Sequence, residues 1–306
     1  MRNFIVIDVG GTYIKYGLVT EEGTFKQRGK MPTRARTDGA DGIVEKCIGI
    51  AREYLGHFYA DGVGISTAGI VNPGTGEIVF AGAGSFPGYT GTKLGARVAE
   101  AVGLPCLVEN DANAAAVGEG WRGAAKGAES AFVMMVGTGV GGALLLHGRP
   151  YHGAGYSSGE AGFMRVHGEQ RIFEEIASTR AMLQEAAYSH NVSPAELTGE
   201  QVFAWARQGD ADAIAAIAHF ADHLAEGAAN ITVLLNPEVF VFGGGVMAQQ
   251  AILGARIRRR FEQLVPEALR QGTRLAFARL GNDACLYGML ALLRGAGLRK
   301  AAADAE

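Results

Sequence analysis

The sequence predicts an α/β protein with two domains of related architecture. Strand-like apolar runs alternate with helix-like segments along the 306 residues, an order typical of α/β folds. A chain of this length exceeds the size at which one hydrophobic core stops growing, so two domains are expected. Two stretches, FIVIDVGGTYIKYGLV and FVMMVGTGVGGALLLHG, both read as strand, glycine-threonine turn and strand. Aligning Val9 with Val136 gives an offset of 127 residues, which indicates a duplicated unit.

The first half of the chain is predicted to contain mainly strands and one long helix. Strands are expected at FIVIDVGG, YIKYGLVTEEG, FKQRGKMPT, DGVGISTAGIVN and PCLVEN, and the helix over Gly42 to His57. The following segment DANAAAVGEGW is helical in composition, although Gly118 and Gly120 weaken it. A boundary is expected near this segment, so that the first domain covers residues 1–114.

The second half begins with a glycine pattern that resembles a dinucleotide-binding fingerprint. Gly137, Gly139 and Gly142 have the spacing G-x-G-x-x-G after an apolar strand. The fingerprint requires a helix after the glycines, because the pyrophosphate binds at the helix N-terminus. Here the exit is ALLLHGRPY, a short apolar run that ends in turn residues. The glycines are therefore predicted to join two strands.

The rest of the second half is predicted to be mainly helical. Helices are expected over Gly168 to Tyr188 and Asp210 to Leu235, followed by the strand EVFVFGGG. The second domain is predicted to cover residues 115–284. A C-terminal helix over about 285–306 is expected to pack back on the first domain, with AGLRKAAADAE as a fraying polar tail.

Charge and cysteine content exclude several classes of function. The formal net charge is −3 and no basic run is longer than Arg258-Arg259-Arg260, which argues against nucleic acid or an anionic membrane as a partner. The three cysteines lie far apart and include no C-x-x-C pair, so a disulfide framework is not expected. Without a signal peptide or an uncharged apolar segment of membrane-spanning length, a soluble cytoplasmic protein is predicted.

The two glycine-threonine turns offer one chemical interpretation and one purely structural one. A turn with little side chain can bring backbone N–H groups and a threonine hydroxyl against phosphate oxygens. Two such turns could hold one polyphosphate between them. Ordinary β-hairpins would show the same spacing, so the residues alone leave both interpretations open.

Taken together in order and spacing, several motifs resemble the ROK family of bacterial sugar kinases, within the actin-like ATPase superfamily. The motifs are DVGGTYIK, ENDANAAAVGE, GTGVGG and FGGGVM, with further similarity in GISTAGIVNPGTGEI, FPGY, SGEAGF, EEIAS, LLNPEVFVFGGG and LGNDACLYG. The resemblance implies a duplicated actin-like ATPase (ribonuclease H-like) fold with two domains around a central cleft. It also implies a homodimer and an ATP- and Mg²⁺-dependent kinase that phosphorylates the primary (6-) hydroxyl of a hexose or hexose derivative.

The resemblance assigns nucleotide contacts to residues of four motifs. They are Asp8, Gly10, Gly11, Thr12, Lys15, Thr138, Gly139, Gly243, Gly244 and Gly245. A carboxylate such as Asp8 can hold hydrated Mg²⁺, and the glycines let backbone donors approach the phosphates. A P-loop kinase is disfavoured because the chain has no G-x-x-x-x-G-K-[ST] motif.

The resemblance also identifies Asp111 as the catalytic base and implies sugar contacts. Those contacts fall on Gly69, Asn110, Asp111, Glu160 and Glu174. A carboxylate at the position of Asp111 can accept the proton of a sugar hydroxyl as it attacks phosphorus. The structural alternative for Asp111 is a helix N-cap, and Glu175 is the alternative for the role of Glu174.

The chain departs from the family pattern at two places in the sugar site. Phe163 stands where many members carry a histidine that precedes a cysteine-rich zinc motif, and GFMRVHGEQRIFEE contains no cysteine. No zinc is therefore expected, and His167 is interpreted as a loop residue. Ser85, followed by Phe86, replaces the familiar asparagine before Pro-Gly. Glucose or N-acetylmannosamine is the expected substrate, with a β-glucoside such as cellobiose as the alternative.

Two non-catalytic interpretations are weighed against the kinase. ROK-type transcriptional repressors carry a winged helix-turn-helix before the first phosphate loop, whereas the loop begins here at Asp8, so a repressor is disfavoured. A sugar-sensing module without catalysis is disfavoured because Asp8, Thr12 and Asp111 are all present.

Overall fold

The computed structural model describes residues 2–166, 168 and 170–296. Its strands are β1 (Asn3–Val9), β2 (Tyr13–Thr20), β3 (Phe25–Pro32), β4 (Val63–Thr67), β5 (Ile70–Asn72), β6 (Glu77–Phe80), β7 (Cys106–Asn110), β8 (Ser130–Val136), β9 (Val140–Leu146), β10 (Arg149–Pro150), β11 (Val239–Gly243) and β12 (Arg274–Phe277). Its helices are α1 (Ala35–Leu55), α2 (Leu94–Val102), α3 (Asp111–Arg122), α4 (Glu174–Ala177), α5 (Thr179–His190), α6 (Gly199–Arg207), α7 (Ala211–Leu235), α8 (Gln250–Leu264), α9 (Glu267–Arg270) and α10 (Ala284–Gly295). Within the described ranges, no helix has the length and hydropathy needed to cross a bilayer.

Two compact units make up the described chain. Unit 1 comprises residues 2–122, 153–157 and 283–296, and unit 2 comprises the described residues of 123–152 and 158–282. The sheet of unit 1 has the strand order β3-β2-β1-β4-β7, and that of unit 2 has the order β10-β9-β8-β11-β12. In each sheet the first two pairings are antiparallel and the last two are parallel. The predicted α/β class and duplicated architecture are confirmed.

The glycine-rich turn after β8 joins two antiparallel strands, as predicted. Val136 pairs with Val140 across the turn, and no helix follows the glycines at this point. The corresponding turn after β1 also joins antiparallel strands, with Val9 paired to Ile14.

Two predicted helices differ from those observed. The helix expected over Gly42 to His57 begins earlier, at Ala35, and contains a kink at Gly39, where φ is 62°. The expectation of one helix over Gly168 to Tyr188 is wrong, because Ser178 is extended and separates α4 from α5. The Ser178 hydroxyl caps α5 by accepting a hydrogen bond from the N–H of Ala181.

The sheet of unit 1 is buried on both faces, which explains the continuous apolar sequence of β1. Ile5 and Ile7 face one core cluster, which includes residues of α1 and α2. Phe4 and Val6 point to the opposite face and pack with residues of α3 and α10, among them Met289. Since side chains alternate along a strand, Asp8 continues the face of Phe4 and Val6.

Helices α3 and α10 approach each other closely enough that only glycine fits at the crossing. A Cβ atom added at Gly288 would collide with the carbonyl oxygen of Ala114. One added at Gly118 would collide with the carbonyl oxygen of Ala284. These glycines fix the position of α10 against the helix that begins at Asp111.

Candidate active site

The predicted site residues of unit 1 lie where its parallel strands end. Asp8 is in register with Ser66 of β4, and Thr67 is in register with Asn110 of β7. Polar side chains at the carboxyl ends of adjacent parallel strands meet at one edge of the sheet, where ligands of open α/β sheets bind. The strand register therefore brings Asp8 and the Asn110–Asp111 pair to the same edge.

Asp8 is a buried carboxylate with partners on two sides. The Ser66 hydroxyl donates a hydrogen bond of 2.9 Å to its Oδ1 atom, and the Lys15 ammonium lies 3.8 Å from Oδ2. Burial raises the pKa of Asp8 above its ordinary value, although the Ser66 hydrogen bond and the Lys15 charge act in the opposite direction. A cation at this carboxylate would offset its desolvation.

The turn that follows Asp8 presents backbone rather than side chains. The N–H of Gly10 donates to the carbonyl of Tyr13 at 3.1 Å, which closes the turn. A Cβ atom at Gly11 would meet no atom within 4 Å, so the space beside Gly11 is open. Gly11 and Thr12 line a cavity of about 800 Å³ together with Ser85. Asp8, the glycines, Thr12 and Lys15 are thus close together within unit 1.

The side chains of Asn110 and Asp111 make different hydrogen bonds at the start of α3. Asn110 is the N-cap, because its Oδ1 atom accepts a 3.0 Å hydrogen bond from the N–H of Asn113. The Oδ1 atom of Asp111 accepts hydrogen bonds from the N–H of Ala112 at 2.9 Å and from the Asn110 amide at 3.1 Å. The N-cap interpretation of Asp111 is wrong, since the neighbouring residue makes that bond.

Gly69 is tied to Asn110 by the backbone. Its carbonyl accepts a 2.9 Å hydrogen bond from the Asn110 amide, and its φ of 102° is one that side chains rarely adopt. A Cβ atom at this position would also lie 2.6 Å from the carbonyl oxygen of Phe80. A glycine is therefore required for the loop that orients the Asn110 side chain.

Unit 2 brings its two predicted phosphate and adenosine segments together. Gly244 has a φ of 102°, and a Cβ atom on it would collide with the carbonyl oxygen of Val136. The turn of Gly243 to Gly245 thus packs against the turn that contains Thr138 and Gly139. A cavity of about 530 Å³ lies beside them, lined by both turns, the first turns of α5 and the Pro194–Ala195 segment.

Glu160 and Glu174 form an acidic pair in unit 2. Burial, with a further contribution from the charge of Glu174, raises the pKa of Glu160. Glu174 Oε2 lies 3.4 Å from the backbone nitrogen of Val140, which donates to it. A Cβ atom at Gly139 would lie 2.5 Å from the same oxygen. Glu174 is therefore in contact with the turn of residues 137–139 (the phosphate turn, which is predicted to bind phosphate), and it lies near Glu160.

A sequence model of the ROK family matches residues 4–296. The chain belongs to the ROK family. Glucokinase of Halalkalibacterium halodurans is 31% identical over 94% of this chain and 93% of its own. Beta-glucoside kinase of Klebsiella pneumoniae is 28% identical over 80% of this chain and 82% of its own.

The fold is also that of solved ROK kinases. A crystal structure of a ROK family glucokinase from Streptomyces griseus, in complex with glucose and AMPPNP, superposes with a TM-score of 0.82 at 30% identity. The match covers 96% of this chain and 99% of that one. These similarities identify the chain as a sugar kinase of the ROK family.

Three residues at the sites of this ROK protein were not predicted from its sequence. Ser66 donates to Asp8, and Arg180 lies beside Glu174. The Cys285 thiol donates to the carbonyl of Asp111 at 3.5 Å. Burial, then the charges of Asp8 and Asp111, raises the pKa of Cys285 well above its ordinary value, so the thiol stays protonated at neutral pH. The motif LGNDACLYG resembles the family pattern, but residues 111 and 285 are too far apart in sequence for their contact to be predicted from it.

The departures from the ROK pattern have distinct environments. Phe163 is 65% exposed, whereas Phe86 is buried and stacks on Tyr89 with ring centroids 5.5 Å apart. His167 lies outside the described residues. Within 2–166, 168 and 170–296, no group of three or more His, Cys, Asp or Glu side chains is arranged to hold a metal ion.

Proposed function

We propose that this protein transfers the terminal phosphoryl group of ATP, with Mg²⁺, to the primary (6-) hydroxyl of a hexose or hexose derivative. Glucose and N-acetylmannosamine are the leading substrates. The observation that carries the proposal is the division of roles at the start of α3, where Asn110 caps the helix. The helix therefore does not need Asp111 as its cap, and the Asp111 carboxylate can act as the general base.

Asp111 acts as the general base in this proposal. Its carboxylate takes the proton of the attacking hydroxyl, which makes the oxygen a better nucleophile toward phosphorus. Asn110, held by the Gly69 carbonyl, orients other hydroxyls of the sugar. Glu160 and Glu174 accept hydrogen bonds from sugar hydroxyls, a role that discriminates against analogues lacking those hydroxyls because a buried acceptor would be left unpaired.

Backbone groups of the two glycine turns bind the phosphates. Open space beside Gly11 lets backbone N–H groups approach phosphate oxygens, and Thr12 and Lys15 add a hydroxyl and a positive charge. Thr138 and Gly139 serve the β and γ phosphates, with the turn of Gly243 to Gly245 beside the adenosine.

The donor set suits Mg²⁺, with Asp8 as its ligand through water. Mg²⁺ is held in such enzymes by one or two carboxylates plus phosphate oxygens, so a single buried carboxylate is sufficient. When bound, the ion supplies neutralisation of phosphate charge. The raised pKa of Asp8 fits a carboxylate whose charge is not fully compensated by protein groups.

A β-glucoside is the second candidate substrate. The exposed aromatic ring of Phe163 offers a stacking surface for a second sugar or an aglycone. Similarity to the beta-glucoside kinase of Klebsiella pneumoniae supports this candidate.

The test is a coupled assay that measures ADP release by the purified protein in the presence of ATP and Mg²⁺. The panel contains glucose, N-acetylmannosamine, other hexoses, methyl β-glucoside and cellobiose. We expect turnover with at least one of them and the phosphate at the 6-position of the product. Absence of turnover across the panel with folded protein would overturn the proposal.

A further inference from the structure

Arg180 occupies an unusual place for a cation. It lies in the first turn of α5, behind the cap residue Ser178, where the helix dipole disfavours positive charge. Its side chain is 51% exposed and lines the same cavity as Thr138. A cation that the local helix does not favour, at the edge of a cavity assigned to a nucleotide, indicates an anionic ligand.

The same guanidinium is close to the acidic pair of unit 2. Arg180 Nη2 lies 3.8 Å from Glu174 Oε1, a separation at which the charges attract without an optimal hydrogen bond. Glu174 in turn contacts the phosphate turn through Val140 and lies near enough to Glu160 to raise the pKa of that residue. Arg180 therefore has an anionic partner already, and it can exchange that partner for a stronger one.

The support under Arg180 is rigid. The N–H of Thr179 donates to the carbonyl of Gly137 at 2.8 Å, which joins the start of α5 to the phosphate turn. The backbone at the start of α5 is thus held against the turn, while the long Arg180 side chain can rotate between Glu174 and the cavity.

We propose that Arg180 couples the nucleotide and sugar subsites of this kinase by leaving Glu174 for the nucleotide phosphates. This inference rests on the proposed function. In the nucleotide-free protein, Arg180 partly neutralises Glu174 and weakens it as a hydrogen-bond acceptor. Bound phosphates attract Arg180 more strongly, because they carry more charge and accept bidentate hydrogen bonds. Glu174 then binds a sugar hydroxyl better, so each ligand raises the affinity for the other.

The nucleotide arm of the test uses calorimetric titration with ADP, tripolyphosphate and adenosine. The variants are Arg180→Gln, Arg180→Lys and the control Arg258→Gln, which removes an exposed arginine of α8. We expect Arg180→Gln to weaken ADP and tripolyphosphate binding about tenfold and to leave adenosine binding within twofold. Unchanged ADP and tripolyphosphate affinities would overturn the proposal.

The coupling arm measures the Kd of glucose, or of the best substrate in the panel, with and without ADP. The wild-type protein and Arg258→Gln should bind sugar at least about fivefold more tightly with ADP. Arg180→Gln should reduce this ratio to nearly one, mainly by tightening sugar binding without ADP, and Arg180→Lys should retain part of it. A wild-type ratio of one, or an unchanged ratio in Arg180→Gln, would refute the coupling. Failure of the proposed function is separate, because it appears as absent turnover across the panel.

Discussion

The side-chain oxygen of Asn110 accepts a 3.0 Å hydrogen bond from the N–H of Asn113, although Asp111 is the first residue of α3. Cap and proposed base are therefore adjacent residues with separable functions. Substitution of Asn110 should lower the stability of the protein, whereas substitution of Asp111 should lower turnover without that loss of stability, which makes the assignment of Asp111 testable.

We predict that Asp111→Asn lowers turnover by roughly 10² to 10⁴ and leaves sugar and ATP binding within a few-fold of wild type. The amide is isosteric with the carboxylate but cannot accept a proton. Turnover on the best sugar of the panel, paired with calorimetric sugar binding, measures both effects.

Asn110→Ala is the matched control for the helix cap. It should lower the free energy of unfolding by about 0.5–2 kcal/mol, whereas Asp111→Asn should change it little. If folded Asp111→Asn keeps more than about a tenth of the wild-type rate, the loss is smaller than that expected for a general base. Asp111 is then not the base.

A methyl group at Gly11 should obstruct phosphate binding without disturbing the fold. Because a Cβ atom there meets nothing within 4 Å, we expect Gly11→Ala to change the free energy of unfolding little and to raise the KM for ATP about tenfold or more. Gly49→Ala, in the exposed face of α1 with equally open surroundings, is the control and should leave the KM for ATP unchanged. Equal ATP kinetics in the two variants would contradict the role of Gly11.

The raised pKa of Glu160 predicts how sugar binding depends on pH. As the pH falls, Glu160 takes up a proton at a higher pH than an exposed glutamate, because burial and the charge of Glu174 favour the neutral form. The charged acceptor is then lost, so the KM for sugar should rise on the acid side. Glu160→Gln should show a raised KM without this acid-side rise, and an identical acid-side profile would rule out Glu160 as its source.

The free energy of unfolding should also depend on pH through the raised pKa of Glu160. A carboxyl group whose pKa is raised by folding destabilises the folded state when it is ionised, above its folded pKa, and this penalty disappears below its unfolded pKa. Glu160→Gln should therefore be more stable than the wild type at pH 7, and the difference should close at acid pH. Urea unfolding of both proteins at a series of pH values measures it, and greater stability of the wild type at pH 7 would contradict it.

Phe163 should govern tolerance of groups at the anomeric carbon. Loss of a stacking contact worth about 0.5–1.5 kcal/mol predicts that Phe163→Ala raises the KM for methyl β-glucoside or cellobiose about 2- to 12-fold and leaves that for glucose within twofold. Tyr188, which is 90% exposed, provides the control variant Tyr188→Ala. A wild-type protein that phosphorylates glucose but gives no rate with either glucoside would contradict the prediction.

Metal removal should abolish activity but not the fold. We expect dialysis against a chelator to leave the Tm unchanged and added Mg²⁺ to restore turnover, since the proposed ion binds with the nucleotide. Elemental analysis of the purified protein should find no stoichiometric zinc, because the segment around Phe163 lacks the cysteines of a tetrahedral site. About one zinc per chain would overturn this expectation.

Local patterns predicted much of the fold because the relevant physics is local. The hairpin around Gly137 followed from the apolar run after the glycines, and α7 followed from a long apolar periodicity with Asp210 as its observed cap. The break at Ser178 was missed, because the sequence alone does not distinguish a serine that caps a new helix from a serine inside a continuing one. The early start of α1 at Ala35 was missed for a related reason, since Gly39 reads as a helix breaker but forms only a kink.

The candidate site was less accessible to sequence reasoning where it depends on distant contacts. Both Asn110 and Asp111 are good cap residues, and only the position of their oxygens distinguishes them. The contacts of Ser66 with Asp8 and of Arg180 with Glu174 follow from strand register and the break before α5. No local pattern specifies either one.

The packing of α10 against α3 at Gly118 and Gly288 affects the order in which the chain folds during translation. The face of β1 that carries Phe4 and Val6 is covered in part by α10, which is translated only after residue 283. At about 5–20 residues per second, translation of residues 123–283 leaves the part of that face that α10 covers exposed for roughly 10–30 s, while unit 2 is made. The N-terminal unit thus completes its core only after unit 2 has been made, and until then part of its apolar strand is open to aggregation.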